Sequence, residues 1–278
     1  MNKNKLISLT HKISEKTEIP FNSILTFFFM ESLLKRISKS KYRNNFVFKG
    51  GFLLSSILGA SNRTTIDIDM LFKNMSFNER AILKIISEII DLDLYDNVQY
   101  KLGNIEQIRN EDEYGGYRIK ITCNFENIKQ VIPLDIAVGD PITPSSINYK
   151  YLTLYDNDEI SIISYNIETI LAEKLHTVYV RGVLNSRNKD FYDIYIIMKL
   201  KKSEINNIYL KEALYNTFNH RKATFDINKI KEVLNIISSN ETMINRWKKY
   251  SKKFSFARNI EFNEVIRSCY SLLSLINK

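Results

Sequence analysis

The sequence predicts a mixed α/β (α+β) protein with a mostly helical second half, and three observations carry that prediction. Short apolar runs and strict alternations, the period of strands, crowd residues 46–138. Beyond Pro141 and Pro144 the apolar residues recur at helical spacing instead. Gly and Pro are scarce, 8 and 4 in 278 residues, which favours many helices and few long loops.

Taken in order, residues 4–18 and 22–39 read as helices separated by Pro20, the second with an apolar face through Ile24, Phe28, Leu33 and Ile37. Residues 46–48 form a short apolar strand that runs into Lys49, Gly50 and Gly51. A helical segment, 52–58, follows and ends at Gly59. Residues 64–72 alternate, with Ile66, Ile68 and Met70 on one face and Asp67 and Asp69 on the other. An amphipathic helix is expected over 78–90, then strands over 98–108, 117–125 and 131–138, the first two joined across a Gly115-Gly116 turn. A short strand pair around Tyr151 and Ile162 precedes helices at 166–182, 189–200, 203–218, 226–239 and 261–276. The expected division is a core with N-terminal helices over 1–150 and a mainly helical part over 151–278.

Composition excludes several classes. With 44% hydrophobic and 26% charged residues the chain is an ordinary globular protein rather than a disordered one. Two distant cysteines and three histidines make neither a disulfide framework nor a structural zinc site, so a reducing cytoplasm is expected. The first ten residues lack an apolar run of signal-peptide length, and the most apolar stretch, 24–30, is too short for a bilayer, so no membrane association is expected. Charge is uneven: residues 1–140 carry 19 Lys/Arg against 17 Asp/Glu, residues 141–278 carry 21 against 14. The basic half suits a polyanion such as RNA, and a solvated lysine-rich surface accounts for the same excess.

Three Asp-x-Asp triplets occur, at Asp67/Asp69, Asp91/Asp93 and Asp156/Asp158. The second sits at a helix exit and the third in a turn-like run. Only the first follows a strand, two glycines and a helix. On a strand both its carboxylates share a face, where they repel unless a cation intervenes, and a divalent ion that also grips a triphosphate answers this. Gly50 and Gly51 let backbone approach a phosphate at a helix N-terminus. Asp135, embedded in an apolar strand, is a costly carboxylate unless it ligates a metal or pairs with Lys or Arg. In the second half, Lys174 flanks the apolar stripe Ile167, Ile170, Leu171, Leu175 and Val178, while Asp190 and Asp193 face one way on the next helix. Those three residues alone suggest an interhelical ion pair. His176 reads as a helix residue rather than a base. Arg246 to Phe254 interleaves Lys248, Lys249, Lys252 and Lys253 with Trp247 and Tyr250. That stretch is either an RNA surface or a helix that buries its rings and wets its lysines.

In order and spacing, the segments at 48–54, 63–69, 134–141, 168–176 and 186–194 resemble the polymerase-β-type nucleotidyltransferases. They look most like the AbiEii/AbiGii abortive-infection toxins, to which the mycobacterial MenT toxins are also similar. The resemblance runs from about residue 46 to 200. It implies a nucleotidyltransferase core that moves a nucleoside monophosphate from an NTP to a hydroxyl. Mg²⁺ or Mn²⁺ would be held by Asp67, Asp69 and Asp135, with Lys174 on the triphosphate and Asp190 in the active site. Lys49, Gly50, Gly51 and Arg63 would lie around the phosphates, with Lys189 and Asp193 assisting or pairing with each other; Arg63 could equally cap its strand. Gly51 stands where many relatives have Ser, so no hydroxyl is expected at that point. The family also suggests a tRNA 3′ end as acceptor and a cognate antitoxin. The rivals are a protein or small-molecule acceptor and a non-catalytic nucleotide- or RNA-binding module.

Overall fold

A computed structural model describes residues 1–108 and 115–276, which fall into two compact units, Met1–Asp140 with Ser146–Ser164, and Pro141–Ser145 with Tyr165–Lys278. The first unit runs α1 (Lys3–Thr17), α2 (Phe21–Lys39), β1 (Phe46–Lys49), α3 (Gly50–Leu58), β2 (Ile68–Phe72), α4 (Glu79–Ile90), β3 (Val98–Ile108), β4 (Gly116–Phe125), β5 (Ile128–Ala137), β6 (Ile147–Leu152) and β7 (Glu159–Ser164). Its strands form one mixed sheet in the order β3-β4-β5-β2-β1-β7-β6, with β2/β5 and β1/β7 parallel and the remaining neighbours antiparallel.

One face of this sheet is packed by α2, whose Ile24, Phe29, Met30, Leu33 and Ile37 are fully buried. Each such side chain stabilises the unit by about 1.5–3 kcal/mol on burial. The α2 ring of Phe28 meets Phe125 of β4 edge-on at 5.3 Å, so the α2 face of β4 is the one carrying Ile119, Ile121, Cys123 and Phe125. By strand alternation Arg118 and Lys120 look out of the other face. That other face carries the acids.

Three expectations need correction here. The alternating segment 64–72 is a strand only from Ile68, and Ile66 is 59% exposed rather than packed beside Ile68 and Met70. The reason is that β1 turns into α3 at Gly50, so beyond the Lys49/Asp69 pair β2 has no β1 residue left to join. The expected division at residue 150 falls inside β6. The β6–β7 hairpin joins the sheet through the Phe48/Ser164 pair and belongs to the first unit. Gly116 opens β4, and the rest of the expected β3–β4 connection, residues 109–114, lies outside the described residues.

The second unit is helical: α5 (Ile167–Arg181), α6 (Asn188–Leu200), α7 (Asn207–His220), α8 (Ile227–Ser239), α9 (Glu241–Lys253) and α10 (Phe262–Leu275). Side chains of Asn166, Asn206, Asp226 and Asn240 cap α5, α7, α8 and α9, and Glu261 with Glu264 forms a capping box on α10. The cap at Asn206 is why α7 starts at 207 and not at 203. The basic stretch after 240 is helix α9.

Candidate active site

The register of the sheet assembles the site. Lys49 of β1 is the Cα partner of Asp69 in β2, Asp69 of Asp135 in β5, and Asp135 of Arg118 in β4. Directly paired residues point to one side. A row therefore crosses five strands: Lys49, Asp69, Asp135, Arg118 and, opposite Arg118 on β3, Glu106. Asp67 sits one residue before β2 and two before Asp69; all three acids are half-buried.

Gly50 and Gly51 begin α3 directly beneath this row. Gly50 has φ +72°, and a Cβ there would lie 1.9 Å from Asp69 Oδ2, so the carboxylate rests on bare backbone. At Gly51 a Cβ would come within 3.0 Å of Thr65 Oγ1 and 3.4 Å of an Arg63 guanidinium nitrogen. The Thr65 hydroxyl lies beside this glycine and donates to Asp67. Arg63 is buried and donates to the Thr64 carbonyl, which makes it a support for this turn as well as a neighbour of the helix N-terminus. Lys49 is placed differently from expectation. Its ammonium is buried and paired with Asp140 at 2.8 Å, so it braces the strand ends from inside rather than reaching outward to a phosphate.

Asp135 carries the ion pair that the sequence left open as an alternative to metal. Arg118 Nε donates to Oδ1 at 2.7 Å and Nη2 to Oδ2 at 2.6 Å. No three acids, histidines or cysteines among the described residues already converge as a metal cage. The donor set nonetheless fits a hard divalent ion. It consists of oxygens only, on adjacent parallel strands plus the residue leading into one of them, over a glycine floor that gives Asp69 room. The other two triplets are local structure. Asp91 caps α4 and Asp93 accepts from the Tyr95 amide, while Asp156 and Asp158 hold Lys35.

In the second unit Lys174 of α5 is bound by two acids of α6, at 2.7 Å to Asp190 and 2.9 Å to Asp193, and Arg187 closes on Asp190 at 3.0 Å. The Lys174 side chain is 13% exposed while both acidic side chains are buried. Asp193 thus pairs with Lys174, not with Lys189. His176 packs edge-on against Phe218 at 4.9 Å, as a core helix residue does. Helix α9 buries Trp247, whose Nε1 donates to the Ile260 carbonyl at 2.8 Å, and exposes Lys248, Lys249, Lys252 and Lys253.

Comparison with known proteins decides the family. The profile of the AbiEii nucleotidyl transferase toxins, a type IV toxin–antitoxin system, matches residues 32–268. The chain belongs to that family. As an AbiEii-family protein it is a nucleotidyltransferase, and its type of system implies an antitoxin partner. Two Helicobacter pylori crystal structures share the fold. One, provisionally described as a nucleotidyltransferase, has 14% identity, TM-score 0.55, and coverage of 93% of this chain and 96% of that one. The other, JHP933, has 14% identity, TM-score 0.51, and coverage of 89% and 88%. No curated protein sequence matches significantly. Among the described residues no helix is long and apolar enough to cross a membrane.

Sequence reasoning passed over Arg118, Thr65 and Asp140. The alternation of β4 put Arg118 on the open face, but pairing it with Asp135 requires the strand order, which no local pattern contains.

Proposed function

We propose that this AbiEii nucleotidyltransferase uses Mg²⁺ or Mn²⁺ at Asp67, Asp69 and Asp135 to move a nucleoside monophosphate from an NTP onto an RNA hydroxyl. The acceptor we favour is the 3′ end of a tRNA, and the setting an abortive-infection response restrained by the antitoxin. The observation that carries the reading is the register that sets Asp69 beside Asp135, with Asp67 two residues away, over a glycine-floored helix N-terminus. The divalent ion supplies charge neutralisation on the triphosphate and lowers the pKa of a coordinated hydroxyl.

In the reaction, the acceptor oxygen bonds to the α-phosphorus while the bond from that phosphorus to the α–β bridging oxygen breaks, and pyrophosphate leaves. Asp67 and Asp69 orient the α-phosphate, and the backbone amides at Gly50 and Gly51 face its oxygens at the start of α3. Asp135 takes the hydroxyl proton. To these we add, as part of the same proposal, Lys174 as a counter-charge to the phosphates and Asp190 as the group that orients it, with Lys189 and Asp193 in support. α9 is a helix that buries Trp247 and wets its lysines, so no ring of Trp247 is offered to a base, and the RNA reading rests on the exposed Lys248, Lys249, Lys252 and Lys253 as phosphate contacts.

Purified protein incubated with each labelled NTP and total RNA tests this directly. Label on RNA with stoichiometric pyrophosphate is expected. Label on the protein or on a small molecule would remove the RNA acceptor, and nucleotide binding without pyrophosphate release would leave only a binding module.

A further inference from the structure

Asp135 is occupied. Arg118 engages both of its carboxylate oxygens with a two-pronged fork, and a divalent ion at Asp135 needs those same oxygens. On its other side Arg118 faces Glu106 of β3, whose carboxylate is hydrogen-bonded to Lys120 instead. Arg118 is 40% exposed against 13% for Asp135, and its Nη1 has no hydrogen-bond partner among the described residues. Arg118 also stands in the row Lys49–Asp69–Asp135–Arg118–Glu106, between Asp135 of β5 and Glu106 of β3, with Asp67 and Asp69 near enough to act on its charge. A monovalent cation therefore balances part of the charge of three neighbouring carboxylates. When a divalent ion takes Asp135, the two cations repel and the pair loses its purpose. A guanidinium released there retains a geometry that fits phosphate as well as it fits carboxylate.

We propose that Arg118 is an exchangeable counter-cation, holding Asp135 in the metal-free enzyme, displaced when a divalent ion binds, and then contacting the phosphate oxygens of the nucleotide. This rests on the metal-site reading given above.

The test is a pair of titrations on the full chain, Mn²⁺ alone and then a non-hydrolysable NTP at saturating Mn²⁺, by calorimetry. Arg118→Gln is expected to bind Mn²⁺ about tenfold more tightly and the nucleotide about tenfold more weakly. Arg118→Lys, which retains charge but loses the fork, should fall between wild type and Gln on both. If Arg118→Gln does not fold, the lysine variant decides by the same two directions. An unchanged affinity in either titration overturns the exchange, as does weaker Mn²⁺ binding. Asp135→Asn separates the premise from the proposal: Mn²⁺ affinity that survives this substitution overturns the metal site itself, whatever Arg118 does.

Discussion

Gly50 is fixed by two constraints at once, a φ of +72° and an Asp69 oxygen 1.9 Å from the position of any Cβ. Gly50→Ala therefore strains the backbone and pushes Asp69 aside. Such a change costs on the order of 1–3 kcal/mol, and scanning calorimetry should record a lowered Tm together with lost pyrophosphate release. Wild-type behaviour in both would dismiss the packing of Asp69 on the glycine. Glu31 makes a second residue-level case, away from the acids of the site. It is buried, and its Oε1 accepts from the Tyr151 hydroxyl at 2.8 Å and the Leu154 amide at 2.6 Å. Burial pushes its carboxyl from 4.5 up to about 8. The native state then keeps a proton that the unfolded chain gives up above 4.5, so this group's stabilisation is complete below 4.5 and is lost as pH rises through 8. Glu31→Gln retains the acceptor and removes the titration. Urea unfolding at pH 5 and pH 8 should show a smaller fall for the variant than for wild type, and equal falls would refute the assignment.

At the scale of elements, α9 separates packing from charge. Trp247→Ala deletes a ring with 2% exposure and strands the Ile260 carbonyl, at a cost of about 3–5 kcal/mol. Replacing Lys248, Lys249, Lys252 and Lys253 by Ser touches only exposed positions, and stability should move by about 0.5 kcal/mol or less per position. In that variant RNA labelling should weaken and its salt dependence flatten, with NTP binding intact. Unchanged labelling would take α9 off the RNA surface. The α5–α6 pair behaves differently. Lys174→Ala leaves Asp193 without its lysine and Asp190 with Arg187 alone, both carboxylates buried. Breaking such a pair costs about 3–5 kcal/mol. Turnover of this variant is therefore to be measured well below its Tm, where a loss of orders of magnitude is still expected if Lys174 also meets phosphate charge.

For the whole molecule, the acid row predicts a trade between stability and activity. Asp69→Asn removes one of three neighbouring negative charges, so transfer should vanish while the metal-free Tm holds or rises. Mg²⁺ should raise the Tm of wild type and not that of the variant, since only a ligand that binds the folded state stabilises it. Alanine at Asp91 and Asp93 should change neither turnover nor the Mg²⁺ response. Much of this was legible in the chain. The strand, two glycines, helix and Asp-x-Asp in succession marked the candidate site, and the apolar setting of Asp135 marked its proposed third acid, because spacing and burial preference are local properties of side chains. The start of β2 was misjudged at Ile66 because a strand lasts only as long as its partner, and β1 stops at Gly50. Lys49 read as an outward cation because its basic side chain could be seen and Asp140, 91 residues away, could not. The sequence by itself determined the order and type of most elements, the family, and which acids were candidates for the site. Only the tertiary structure decided that Arg118 faces Asp135 and that Thr65 stands beside Gly51. Periodicity states which face a side chain takes, whereas strand order and register, which bring distant residues together, are properties of the folded sheet.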